Sequence, residues 1–423
     1  MIKAVAVAAF ACALWSCAPA LGAPPAVSGQ LLVGFKDGIS KNRQDQILGA
    51  ESGRLSQRFR AVRNGGLAIV RPRPGTSLRV LRRRLSSRPE VAYAERDYLN
   101  FASAKTPDDP LYASQYALGD SPDDYDIDAP DAWATRTGCA KVAVLDTGVD
   151  LDHPDLKANI VESKDKPGNG KDDDKNGYVD DAHGFNAIKG NGSGEDNEGH
   201  GTHVAGIVAG RGDNGTGVAG VCWSGKVVPV KFLDSRGRGT TSDAIAGIEY
   251  AVKSGAKIIN CSFGTSGKSD ALHDAVKFAK KKNALLVVAA GNNGENIDKS
   301  PEYPAAFNDD NILAVAASTS KDKLASFSNF GAEEVDIAAP GDGIRSTYLG
   351  GGYRVLSGTS MAAPFVAGVA ALLKKQESDA KYSDLRAVIR KKVDKPPALK
   401  GKVESNGRLN ARKALAAIGD RVD

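Results

Sequence analysis

Four short runs, Lys141–Leu145, Val227–Lys231, Lys257–Asn260 and Ala284–Val288, are apolar without alternation, and longer helical stretches separate them. A strand that is apolar on both sides must be covered on both sides. The pattern therefore predicts an α/β unit from about residue 106 onward, with a mainly parallel sheet between two layers of helices. Sites in such sheets gather at the carboxyl ends of the strands. The chain before residue 106 reads differently. Gln30–Phe35, Gly66–Val70 and Val91–Glu95 predict strands, and Lys41–Ala50 and Ser77–Ser87 predict helices. That order describes a small α+β unit of the split βαβ kind.

Before these elements stands a leader. Met1-Ile2-Lys3 is followed by an apolar run over 4–16 and the small residues Ala20-Leu21-Gly22-Ala23, which are the parts of a secretory signal in order. Residues 1–23 are therefore set apart from the fold, and the mature protein is expected outside the cell. The run is shorter than the roughly 20 residues a bilayer span requires, so no transmembrane segment is expected. Leu14-Trp15-Ser16-Cys17 also resembles a bacterial lipobox, which leaves two outcomes open: a lipid anchor at Cys17, or ordinary cleavage a few residues later.

At 423 residues, 41% hydrophobic and 25% charged, the chain has material for a large core and more than one unit. Its net charge of +5 is unevenly divided. Residues 24–105 hold 16 Lys/Arg against 6 Asp/Glu, whereas residues 106–423 hold 39 against 45. Opposite fields of this kind favour association of the two parts. A nucleic-acid-binding function is not expected, because the basic excess lies in the front segment and Arg82-Arg83-Arg84 has no aromatic residues between its cations. Two of the five cysteines, Cys12 and Cys17, fall in the leader. Cys139, Cys222 and Cys261 remain, an odd number that in a secreted chain suggests one disulfide and one spare thiol.

Three segments at predicted strand ends and helix starts carry reactive side chains: Leu145-Asp146-Thr147-Gly148, His200-Gly201-Thr202-His203 and Gly358-Thr359-Ser360-Met361. A serine is a weak nucleophile until an imidazole takes its proton, and the imidazole needs a carboxylate to fix its tautomer. Asp146, His200 and Ser360 supply one of each. His203 is read as a structural residue of the same helix.

In this order the three motifs resemble the subtilisin-like family of serine proteases, and among them the thermitase-like bacterial extracellular type. The resemblance implies the subtilisin-like three-layer fold for 106–423. It implies an inhibitory propeptide for 24–105, acting as intramolecular inhibitor and folding aid, with self-cleavage between about Phe101 and Pro107. It also implies a monomer that hydrolyses peptide bonds through an acyl-enzyme. Asn292, at the end of Ala289-Ala290-Gly291-Asn292, would donate to the oxyanion, and Asn293 would form a pocket rim. Protein and peptide substrates would add as a strand between Gly237-Arg238-Gly239 and Ser262-Phe263-Gly264. A rival reading from another class, a catalytically silent binding protein that keeps the fold, is opposed by the intact triad and the propeptide.

The same resemblance implies calcium (Ca2+). Asp109, Asp155, Asn214, Thr216 and Val218 match the strong site of thermitase-like members. Asp172, Asp174, Asn176 and Asp180 space oxygen ligands like the first half of a calcium loop, although His183 stands where that loop has its closing glutamate. Cys139 and Cys222 precede strands that are neighbours in the family's sheet, so their pairing is implied and Cys261 stays free. Glu302, ahead of Tyr303-Pro304-Ala305, lies in the stretch that floors the primary specificity pocket of relatives. A carboxylate there favours Lys or Arg if it faces the pocket and has no effect if it faces solvent. The sequence alone favours a broad, mainly apolar preference.

Overall fold

The computed structural model describes residues 26–98, 104–119 and 125–418. The predicted leader, Cys17 and residues 99–103 of the predicted cleavage region lie outside the described residues. The chain divides into two compact units, Met1–Phe101 and Ala102–Asp423.

In the first unit, β1 (Ala26–Phe35), α1 (Lys41–Ala50), β2 (Gly53–Phe59), β3 (Leu67–Pro72), α2 (Leu78–Ser86) and β4 (Val91–Tyr98) follow one another. The strands form an antiparallel sheet in the order β2-β3-β1-β4. This is the βαββαβ arrangement. Leu31, Val33 and Phe35 of β1 pack on Ile47 and Leu48 of α1 and on Leu81 and Leu85 of α2. Arg82, Arg83 and Arg84 lie between the two buried leucines of α2 and are exposed. β2 was not predicted. Only Gly53 of it is fully buried, and its Arg54, Ser56, Gln57 and Arg58 give no apolar signal.

The second unit holds α3 (Ala129–Thr135), β5 (Val142–Asp146), β6 (Phe185–Asn186), α4 (His200–Ala209), β7 (Val227–Lys231), α5 (Thr241–Lys253), β8 (Ile258–Cys261), α6 (Asp270–Lys281), β9 (Leu285–Ala289), β10 (Ile312–Ser318) and β11 (Ile337–Pro340). The hairpin β12 (Ile344–Tyr348) and β13 (Gly352–Leu356) precedes α7 (Thr359–Gln376), α8 (Tyr382–Lys391), β14 (Val393–Asp394), β15 (Arg408–Leu409) and α9 (Ala411–Ala417). The sheet runs β14-β15-β11-β10-β9-β8-β5-β7-β6. All its pairings are parallel except β14 with β15.

The strands are buried on both faces, as their unbroken apolar runs require. Val142 and Val144 of β5 enter one core with α4 and α7. Ala143 and Leu145 enter the other with α5 and α6. Each such valine or leucine, taken fully from water, contributes about 1.5–3 kcal/mol. The carboxyl ends of β5, β8 and β9 and the amino ends of α4 and α7 meet along one edge of this sandwich. That edge carries the site.

Candidate active site

β5 ends at Asp146, α4 begins at His200, and Gly201 lets them meet. A Cβ on Gly201 would stand 2.1 Å from the Gly148 carbonyl oxygen and 3.1 Å from Asp146 Oδ1, so any larger residue would force the helix start away from the strand end. His200 Nδ1 thereby lies 2.7 Å from Asp146 Oδ1. The same oxygen accepts the Thr147 N–H at 2.7 Å, and the Asp146 side chain is fully buried.

A buried carboxylate is costly unless its charge is met. Lys231, the register partner of Asp146 across β5 and β7, brings a buried ammonium to this end of the sheet. Its Nζ donates to the carbonyls of Thr147 at 2.5 Å and Leu233 at 2.8 Å and to Asn197 Oδ1 at 2.8 Å. Burial pulls the Lys231 pKa below its ordinary value, although the charges of Asp196 and Asp146 oppose the shift.

The start of α4 has no capping side chain at Gly199. Asp196 satisfies its free amides instead, accepting from the N–H groups of Glu198, Gly199 and Thr202 at 2.9, 3.1 and 3.0 Å and from Thr202 Oγ1 at 2.6 Å. Burial alone would raise the Asp196 carboxyl; these bonds outweigh it and hold the group below its usual range. At His200 burial opposes the imidazolium, but the charge and hydrogen bond of Asp146, followed by Glu198 and Asp196, outweigh it. The His200 pKa is raised. His203 has none of this support. It is buried, its Nε2 stands 3.1 Å from the carbonyls of Ile344 and Arg354, and its pKa falls to about 4, so it is a neutral core histidine.

Ser360 is the second residue of α7. Pro364 has no N–H to give the Ser360 carbonyl four residues back, and Ser262 Oγ supplies that donor at 3.0 Å. The Ser360 hydroxyl donates to the Ser262 carbonyl at 3.2 Å, while among the described residues His200 Nε2 has no hydrogen-bond partner. Asn292 Oδ1 accepts from Thr359 N–H at 2.8 Å and Thr359 Oγ1 at 3.0 Å. Its acceptor is thus fully used, and the Nδ2 amide remains as a donor in the cleft of about 320 Å³ that Asn292, His200 and Ser360 line together. His200 also lines a second cleft of about 630 Å³. Gly237, Arg238 and Gly239, after β7, and Ser262, Phe263 and Gly264, after β8, contribute to its walls. These segments flank β5 on its two sides, since β8, β5 and β7 are consecutive in the sheet.

Residues 139–411 match the model of the Subtilase family. The chain belongs to the subtilase family. As a subtilase it is a serine protease, a hydrolase, and residues 18–97 match the fervidolysin N-terminal prodomain, so a prodomain precedes the protease. It is 35% identical to a "Thermophilic serine proteinase" from Bacillus sp. (strain AK1) over 92% of this chain and 88% of the relative. It is 39% identical to "Thermitase" from Thermoactinomyces vulgaris over 73% of this chain and 99% of the relative. Among solved structures a protease from Pseudoalteromonas arctica superimposes with TM-score 0.63 at 32% identity, covering 74% of this chain and all of that one. The three-layer fold is therefore subtilisin-like.

In this subtilase Asp109, Asp155 and the loop 214–218 come together. Asp155 Oδ1 accepts from Asn214 Nδ2 at 3.0 Å, and Oδ2 from Val218 N–H at 2.9 Å and Tyr353 Oη at 3.0 Å. Thr216 donates its N–H to Asn214 Oδ1 at 2.8 Å. Asp109 Oδ2 accepts from Asp213 N–H at 2.7 Å, but its Oδ1 is buried with no hydrogen-bond partner among the described residues. Burial raises the Asp109 pKa and the charge of Asp155 adds to the rise, against the pull of two backbone amides. A Cβ on Gly217 would stand 2.2 Å from Asp155 Oδ2 and 2.0 Å from the Tyr353 hydroxyl, so glycine keeps this concavity open. Two adjoining buried carboxylates, one oxygen unpartnered and a cradle of hard oxygens fit a calcium ion.

The acidic loop differs from its prediction. Asp174 groups with Asp165 and Asp181, with carboxylate oxygens within 4.8 Å of one another. The sequence reading missed those two partners. Asn176 donates from Nδ2 to Asp181 Oδ2 at 2.9 Å. Asp172 instead accepts the N–H groups of Asn176 and Gly177 at 3.0 and 2.9 Å, and Asp180 those of Asn169 and Gly170 at 2.9 and 3.1 Å. Those two carboxylates shape the turn rather than join the cluster.

Cys139 and Cys222 are joined by a disulfide with Cα atoms 5.7 Å apart. Cys261 is free and buried in β8. Burial, then the charge of Asp146, push its thiol well above the ordinary range, so it is an apolar core residue rather than a nucleophile.

Proposed function

We propose that this subtilase is a secreted endopeptidase made as a self-processing zymogen, with Ser360 as nucleophile, His200 as general base and then acid, and Asp146 orienting the imidazole. The observation that carries the reading is the 2.7 Å bond from His200 Nδ1 to Asp146, on a histidine that shares a cleft with Ser360 and Asn292. Rotation about the Ser360 Cα–Cβ bond transfers its hydroxyl from the Ser262 carbonyl to His200. Proton transfer to His200 then accompanies attack on the substrate carbonyl, and the Asn292 amide with the Ser360 N–H receives the developing oxyanion. The leaving amine takes the proton from His200, and water repeats the sequence to free the acid.

Substrate backbone would lie along Gly237–Gly239 and Ser262–Gly264, which makes the enzyme tolerant of many sequences. Residues 1–23 would direct export, with or without a lipid at Cys17. Residues 24–105 would inhibit and assist folding of the peptidase unit 106–423, which acts as a monomer. Calcium would be held by Asp109, Asp155, Asn214, Thr216 and Val218, and a second ion by Asp165, Asp174 and Asp181. Its role is structural. A fluorophosphonate probe tests the central assignment: it should attach to Ser360 alone, more slowly in His200→Ala. Attachment elsewhere, or none while peptides are still cut, rejects it.

A further inference from the structure

The edge of the sheet opposite Ser360 gathers cations in a unit whose net charge is negative. Lys257, Lys141 and Lys226 each directly precede the first residue of β8, β5 and β7, and those first residues are in register. The three strands are consecutive in the sheet, so the lysines form a row with a strand spacing of about 4.8 Å. Lys374 and Lys375, in the last turn of α7, reach the same edge. Along α7, at about 1.5 Å of rise per residue, Lys375 stands roughly 22 Å from Ser360.

Two adjoining clefts lie here, of about 670 and 290 Å³, and they share Ala140, Lys141 and Lys375. Arg211 and Lys226 line the larger, Lys257 and Lys374 the smaller. Among the described residues none of these six cations forms an ion pair. The one carboxylate on the cleft walls, Asp213, is already paired with Lys105 at 3.1 Å. The ammonium groups are steadied instead by carbonyl oxygens: Lys141 donates to Ser254 at 2.5 Å, Lys257 to Lys282 at 2.8 Å, Lys226 to Ala158 and Ile160 at 3.0 and 3.1 Å, and Lys374 to Ser378 and Ala380. Burial pulls the Lys141 pKa down. Burial and then the charge of Lys257 do the same at Lys374, against the pull of Asp379, Asp384 and Glu377. An anion in the clefts would relieve this crowding.

The clefts extend beyond what one oxyanion fills, and five of the six cations are lysines, compact point charges that suit phosphate oxygens. Base stacking has no platform, because the only aromatic residue on the walls, Trp223, carries Lys105 Nζ 4.3 Å from its ring centroid. We propose that this edge is a docking surface for a linear polymer of phosphate groups without bases, which would hold the protease with its reactive cleft facing away. The inference is independent of the Ser360 reading.

The test uses the full chain and inorganic polyphosphate, and it reads position as well as affinity because residues 24–105 are themselves basic. Lysines are acylated with and without the polymer and located by mass spectrometry. Lys226, Lys257 and Lys375 should be protected, less so at high salt, and the same amount of phosphate as single ions should protect none. The polymer concentration that half-protects Lys226 should rise by about tenfold or more in K141Q/K257Q/K375Q. It should rise less, but in the same direction, in R211Q/K375Q, whose replaced side chains hold nothing in the fold and whose melting temperature should be unchanged. Protection confined to residues 24–105, or half-protection unchanged in both variants, overturns the proposal. Tighter half-protection by single-stranded DNA or by vesicles of anionic phospholipid also overturns it, since the occupant is then a nucleic acid or a membrane.

Discussion

Ser262 and Ser360 are hydrogen-bonded to each other twice, Ser262 Oγ donating to the Ser360 carbonyl at 3.0 Å and Ser360 Oγ to the Ser262 carbonyl at 3.2 Å. The first bond replaces the helical donor that Pro364 lacks. Ser262→Ala leaves that buried carbonyl unsatisfied, which costs about 1–3 kcal/mol. Thermal inactivation should be measurably faster, and Ser262→Thr, which keeps the hydroxyl, should recover most of the loss. An S262A enzyme with an unchanged half-life contradicts this account of the helix start.

Asn292 is held by Thr359 through its acceptor oxygen, and in the proposed mechanism its remaining donor acts chiefly once negative charge develops on the substrate oxygen. Asn292→Ala should lower kcat by about a hundredfold to a thousandfold with KM nearly unchanged. That magnitude is carried over from subtilisin, a relative. Steady-state kinetics with unchanged kcat would remove Asn292 from the mechanism.

In the proposed mechanism His200 takes the Ser360 proton only when neutral, and its pKa is raised above the ordinary 6.5. Activity is therefore lost as pH falls through the raised value, and the acid limb of kcat/KM should have its midpoint above 6.5. Glu198 is one of the charges that favour the imidazolium, so Glu198→Gln should move the midpoint down. A midpoint that stays put or rises in E198Q shows that Glu198 does not act on His200.

Calcium should slow autolysis and raise the melting temperature, because a ligand that binds only the folded chain stabilises it by about 2.7 kcal/mol at a hundred times its Kd. Asp155→Ala should abolish most of that gain, since Asp155 joins Asn214, Val218 and Tyr353. If chelator changes neither quantity, the calcium assignments are wrong.

Legibility in the sequence followed the length of the physical signal. The unbroken apolar runs of β5, β7, β8 and β9 exposed the buried sheet, and Asp146, His200 and Ser360 could be placed from their motifs at its strand ends and helix starts. β2 was invisible because it buries so little. The grouping of Asp174 with Asp165 and Asp181 was not legible, because those two reach it only through a fold of the loop that spacing does not encode. Tyr353 meets Asp155 across 198 positions, and the three acceptors of Lys231 come from segments on both sides of β7. The surroundings of Glu302, between Gly264 and Gly291, depend on the Thr265–Tyr303 pairing, a contact between segments whose sequences say nothing of each other.

The precursor joins the charge division to the reactive serine. Residues 24–105, with 16 basic against 6 acidic residues, should inhibit the mature enzyme when added separately, and salt should weaken the hold because exposed charges are screened over about 8–10 Å. The most direct measurement is the intact mass and N-terminal sequence of the full chain and its Ser360→Ala variant made in a protease-free host. The wild type should be cut between about Phe101 and Pro107, and the variant should accumulate as uncut precursor. A variant cut at the same bond as the wild type would contradict both the nucleophile and the self-processing.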